Sequence, residues 1–150
     1  MFSEKSQTPK MRSKKNKEEQ VLNWVNNKIN SQKKIIEDFQ KGNSIISFAE
    51  IKMIPRSWIE ISKGIFARTR EKVDENTIIL ECKMNSGAEL KIHSHSDYSE
   101  LFKLITGAIL DKVENVYMKP GDQHAFLPGI WHTILCLEEC FIEITCTKLK

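Results

Sequence analysis

The hydrophobic positions follow one period in the first forty residues and another in the rest of the chain. Val21, Trp24, Val25, Ile29, Ile35, Ile36 and Phe39 recur at three- and four-residue steps with Lys, Glu, Asn and Gln between them, and Gly42-Asn43 follows as a stop. This pattern predicts one amphipathic helix over about residues 17–41, in a segment running to 43. Its apolar stripe has to be covered, either by its own domain or by the matching helix of a second chain. Residues 1–16 are polar, basic and short of apolar side chains, a composition that cannot offset the entropy of ordering, so a flexible arm is expected there.

Beyond Gly42 the apolar positions come in short runs, at residues 44–51, 58–61, 65–69, 77–84, 88–94, 100–105, 108–112, 115–118, 123–127, 133–137 and 140–147. Gly, Pro, Asn, Asp or Glu separates them. Many short strands with no helix between them predict a mainly β domain, a sandwich or barrel, over residues 44–150.

Composition fits a single soluble domain: 150 residues, 40% hydrophobic and 29% charged. Nothing in the sequence approaches the ~18 uninterrupted apolar residues of a membrane span, and the first twenty residues lack an apolar signal-peptide core. The expected location is therefore the cytoplasm. The net charge of +3, from 23 basic and 20 acidic residues, is unevenly distributed. Residues 1–41 carry 10 Lys/Arg against 5 Asp/Glu, or +5, which leaves 13 minus 15, or −2, on the remainder. One basic helix is not the two-helix unit of a DNA-reading motif, and Lys10, Arg12, Lys14, Lys15 and Lys17 read more simply as a solvated tail than as phosphate contacts. The four cysteines, Cys82, Cys136, Cys140 and Cys146, lack the paired spacing of a zinc knuckle and read as reduced core residues. Cys136 and Cys140 flank Leu137-Glu138-Glu139 and could meet across a hairpin, although a disulfide there calls for an oxidising compartment.

The chemistry concentrates between Gly87 and Gly107. His93 and His95, two apart on a strand, project from one face about 7 Å apart along the backbone, close enough to converge on one ion. A turn through Ser96 to Ser99 lets a neighbouring strand begin at Glu100, which adds a carboxylate oxygen to the same face. One more neutral donor would complete a protein-held set for a first-row divalent metal, and His132 is the candidate.

These residues resemble the cupin superfamily. Its first motif, glycine, five residues, His-x-His, three or four residues, Glu, six residues, glycine, is met at every fixed position from Gly87 to Gly107. The second motif is met by Gly121, Gly129 and His132, with its proline one place late as Pro128 and Cys136 where an asparagine usually stands. The resemblance covers about residues 77–147. It implies a small double-stranded β-helix, a jelly-roll barrel behind the N-terminal helix, with one divalent ion (Fe, Mn, Ni or Zn) inside it. His93, His95, Glu100 and His132 are the implied ligands.

Strand parity suggests what else faces the pocket. His124 and Phe126 share a face that looks into the barrel in related cupins. His124, as an imidazole, could carry protons for a bound substrate or simply fill space. Phe102 and Leu104 share the parity of Glu100 and are expected to form an apolar wall. Trp131 is either a lid or packing, and Lys91, with the parity of His93, either meets an anionic substrate or stays solvated.

Two functions fit. One is a metal-dependent enzyme of oxygenase, isomerase or lyase type acting on a small oxygenated molecule. The other is a non-catalytic cupin that binds or senses a small ligand while its basic helix contacts a partner chain. Glu100 argues against a thiol dioxygenase, Leu101-Phe102 stands where a dimethylsulfoniopropionate-cleaving cupin carries tyrosine, and only Lys91 and Lys103 offer the basic cluster of a sugar-phosphate isomerase. By resemblance and by its apolar stripe, the chain is expected to form a homodimer.

Overall fold

The computed structural model describes the backbone of residues 9–149 and the side chains of residues 16–26 and 32–149. The arm expected at residues 1–16 lies outside the described residues as far as residue 8. From Pro9 the chain is helical, and α1 runs over Pro9–Lys41 through both compact units of the chain, Met1–Ser31 and Gln32–Lys150. In the first unit Val21, Leu22, Trp24 and Val25 are exposed. In the second, Ile35 and Phe39 are buried in the core. Among the described residues no helix is long and apolar enough to cross a membrane.

The end of α1 is set by Gly42 and Asn43, both at positive φ (79° and 52°), a left-handed exit that releases the chain from the helix. Ser44 closes the last turn by donating its hydroxyl to the Asp38 carbonyl at 2.8 Å. Strand β1 (Ser44–Ile46) follows, then a one-turn helix, α2 (Phe48–Ile51), where a continuing strand was expected. The reason is a capping box: the Ser47 side chain accepts from the Glu50 backbone N–H and the Glu50 carboxylate accepts from that of Ser47.

The rest is strand: β2 (Ile59–Ser62), β3 (Ile65–Asp74), β4 (Thr77–Met84), β5 (Glu89–His95), β6 (Tyr98–Asp111), β7 (Val116–Met118), β8 (Gln123–Phe126) and β9 (His132–Lys148). They form one curled sheet of order β1-β5-β9-β4-β3-β2, with β6 pairing β9, β7 and β8, so that the barrel is only partly closed. β6 and β9 are each continuous where two strands were expected, because bulges absorb the interruptions. Thr106 lies opposite Phe141 but Ile109 opposite Cys136, so β9 spends two extra residues there. Gly107 makes room: it sits at φ 87°, and a Cβ on it would lie 2.3 Å from the Glu139 carbonyl oxygen.

β1 pairs in parallel with β5, placing Ser44 against His93 and Ile46 against His95. The segment that follows α1 is thus bonded directly to the strand that carries the His-x-His pair.

Candidate metal centre

The pleat of β5 sends His93 and His95 inward, β6 brings Glu100 from the next strand, and β9 opens with His132, register partner of His93. All four side chains are buried, and their ligand atoms lie within 4.8 Å of one another. His95 Nε2 is 2.9 Å and His132 Nε2 3.6 Å from Glu100 Oε1. None of these three atoms has a hydrogen-bond partner. They approach one another without the alignment of a hydrogen bond, the arrangement of donors aimed at a shared point. Buried polar atoms are rarely left in this state without an ion or ligand to satisfy them.

The outer ring nitrogens fix the tautomers. His93 Nδ1–H donates to the Lys91 carbonyl at 2.8 Å and His132 Nδ1–H to the Ile130 carbonyl at 3.2 Å. A carbonyl only accepts, so both imidazoles keep Nε2 as a free donor to the centre. Aromatic rings hold the imidazoles in place: Tyr98 stacks on His95 at 4.3 Å, Phe126 on His132 at 4.2 Å, and Phe39 of α1 meets His93 edge-on at 5.5 Å. Further along β9, Asp111 Oδ1 accepts the backbone N–H of Thr133 at 3.0 Å, which anchors the residue next to His132.

Charge follows from the burial. Burial pushes the Glu100 carboxyl up, but His95 and His132 beside it outweigh that effect and hold it below the usual carboxylate range. Burial, then neighbouring His132, lowers His93 to about 4. At neutral pH the centre therefore offers neutral His93 and ionised Glu100, the states that bind a cation. An unfolded histidine titrates near ~6.5, so between the two values the unfolded chain holds a proton that the folded chain does not. The His93 contribution to metal-free stability is expected to be lost as pH drops from ~6.5 to ~4, by on the order of 3 kcal/mol, and the low-lying Glu100 carboxyl carries the decline on below that window. Urea titrations of the metal-free protein across that window check this, and a His93→Asn variant with the same slope would exclude His93 as the source.

Beside His93 and Glu100 is a cavity of about 30 Å³, room for roughly one water. Its wall is otherwise apolar, and includes Phe39, Ile51, Ile54, Leu80, Phe102 and Ile144. Of the pocket residues expected from parity, Phe102 lines this cavity. Phe126 is buried against His132, Leu104 is fully buried, and Trp131 is half-buried. His124 is half-buried with its ring against Phe126 at 4.7 Å, away from the cavity wall. The Lys91 side chain is exposed on an outer groove with Gln40 and Glu60, while its carbonyl serves His93. Phe39 and Tyr98 were missed. Tyr98 shares the parity of Glu100, a usable signal, whereas nothing local marks Phe39 as a neighbour of His93.

No protein-family model and no curated protein matches the sequence. Solved structures do. KdgF from Halomonas sp. matches with a TM-score of 0.57 at 18% identity, over 63% of this chain and 89% of its own. An RmlC-like cupin from Shewanella frigidimarina gives 0.56 at 16%, over 63% and 86%. A predicted oxalate decarboxylase from Thermotoga maritima gives 0.54 at 17%, over 64% and 94%. The chain has the RmlC-like cupin fold, with a three-histidine, one-glutamate cluster inside it that could bind a metal ion.

Proposed function

We propose that the chain is a divalent-metal-dependent enzyme acting on a small oxygenated molecule. The observation that carries this reading is the set of four buried ligand atoms within 4.8 Å of one another, three of them without any other partner. His93, His95, Glu100 and His132 would hold the ion, and Fe(II), Mn(II), Ni(II) and Zn(II) all accept such a set. Bound there, it would supply Lewis acidity or O₂ activation at the positions the protein leaves open. The chain's own residues supply the setting: Glu100 the only anion among the four, and the aliphatic wall a site that excludes bulk water.

The test is reconstitution with each of the four metals in turn, followed by titration with small oxygen chelators, beginning with oxalate and a 2-oxo acid. One equivalent of tightly held metal, a chelator-dependent spectral or thermal response and a product support the reading. Tight metal with no response would remove the enzyme and keep the site. One observation favours a second reading, a non-catalytic ligand sensor: the cavity is small and Phe39 of α1 forms part of its wall, so entry of a ligand would press on that helix. Reversible, stoichiometric chelator binding without product would favour it.

A further inference from the structure

On β9, four residues beyond His132, two thiols lie in contact: Cys136 Sγ is 3.6 Å from Cys140 Sγ. In a regular strand, residues four apart are separated by about 13 Å. They meet here because β9 bulges, with Leu137, Glu138 and Glu139 looping out to solvent opposite Gly107. Backbone bonds hold both ends of the bulge. Cys136 exchanges bonds with Gly87 and Ala88, each at 2.8 Å, and Cys140 pairs with Met84, whose carbonyl also accepts from the Cys136 thiol at 3.5 Å. Cys140 also lines a surface groove of about 370 Å³ with Lys83, Thr106 and Glu139, a path for a small reagent.

We infer that Cys136 and Cys140 form a dithiol–disulfide pair, a redox modification site for hydrogen peroxide separate from the metal centre. The Cys140 thiolate attacks one oxygen of the peroxide: an S–O bond forms, the O–O bond breaks and hydroxide leaves. The Cys136 thiolate then attacks that sulfur, an S–S bond forms, and the S–O bond breaks to release a second hydroxide. The two thiol protons convert both hydroxides to water, so two thiols and one peroxide give one disulfide and two waters. Closing the gap to an S–S bond of ~2.05 Å takes a movement of about 1.5 Å, which the three exposed bulge residues can absorb. Burial holds both thiols above their ordinary range, so the reaction is slow at neutral pH and speeds up with pH, about tenfold per unit.

The test is treatment of the folded, reduced chain with hydrogen peroxide, with thiol titration and cleavage after Glu138, Glu139 and Glu143, which puts Cys136, Cys140 and Cys146 on separate fragments. The expected result is a fall from four free thiols to two, with the Cys136 and Cys140 fragments joined until a dithiol reductant is added. Cys136→Ser and Cys140→Ser each abolish the link, and Cys82→Ser and Cys146→Ser retain it. A link through Cys82 or Cys146 would overturn the assignment. So would four intact thiols after hours in excess peroxide at pH 8.5, or over-oxidised cysteine with no link.

Discussion

A Glu100→Gln protein is expected to leave purification with less than about a tenth of the metal held by the parent. Glutamine keeps the volume and the hydrogen-bonding outline of the side chain but removes the anion, leaving three imidazoles and no carboxylate to hold a dication in a buried site. Loss of a partner one shell further out already lowers metal affinity by about 10–100-fold, so loss of a direct ligand should do at least as much. The metal-free proteins separate this from simple damage to the fold. Glu100 Oε1 makes no hydrogen bond, so the substitution breaks none at that atom, but it removes the carboxylate that His95 and His132 hold ionised, so the metal-free variant is expected to melt several degrees lower while keeping one cooperative transition. A metal-free variant without a cooperative transition would make Glu100 a structural residue. Unchanged metal content in Glu100→Gln would remove it from the centre.

The centre was legible because its parts are local. His93 and His95 need only the two-residue period of a strand, Glu100 follows after one short turn, and the glycine spacing ties His132 to them. Residues whose role depends on register were harder to read. Lys91 shares the parity of His93, yet its side chain is exposed because the β5–β9 ladder slips between Leu90 and His93. Parity counted across a bulge loses its meaning. The same limit hid the continuity of β6 and β9, where the polar stretch at Leu137 to Glu139 looks like a turn and is a bulge made possible by Gly107. The short helix α2 could have been read, since Ser47 and Glu50 spell its capping box, but the apolar run from Ser44 to Ile51 suggested strand. Least accessible of all was the parallel pairing of β1 with β5, because three residues, Ser-Ile-Ile, carry no label for the partner they will choose.

That pairing bears on the largest effect expected outside the four ligands. α1 delivers Phe39 to the cavity wall, edge-on to His93, and β1 then fastens the same segment along the strand that carries His93 and His95. Removing the phenyl ring with Phe39→Ala takes away one side of a cavity of about 30 Å³ and leaves a void several times larger. A truncation of this kind costs about 3–5 kcal/mol, a large share of a small domain's stability, so Phe39→Leu is the companion variant that keeps most of the packing. Both are expected to admit small ligands faster than the parent does. With cobalt in the site, binding of imidazole or azide can be followed by visible absorption, and association should be at least about tenfold faster in both variants, because a barrier made by one ring falls with the ring. Rates equal to the parent's in both variants would show that ligands reach the metal by another route, such as past β8, which among the described residues pairs only with β6, and that Phe39 serves only packing.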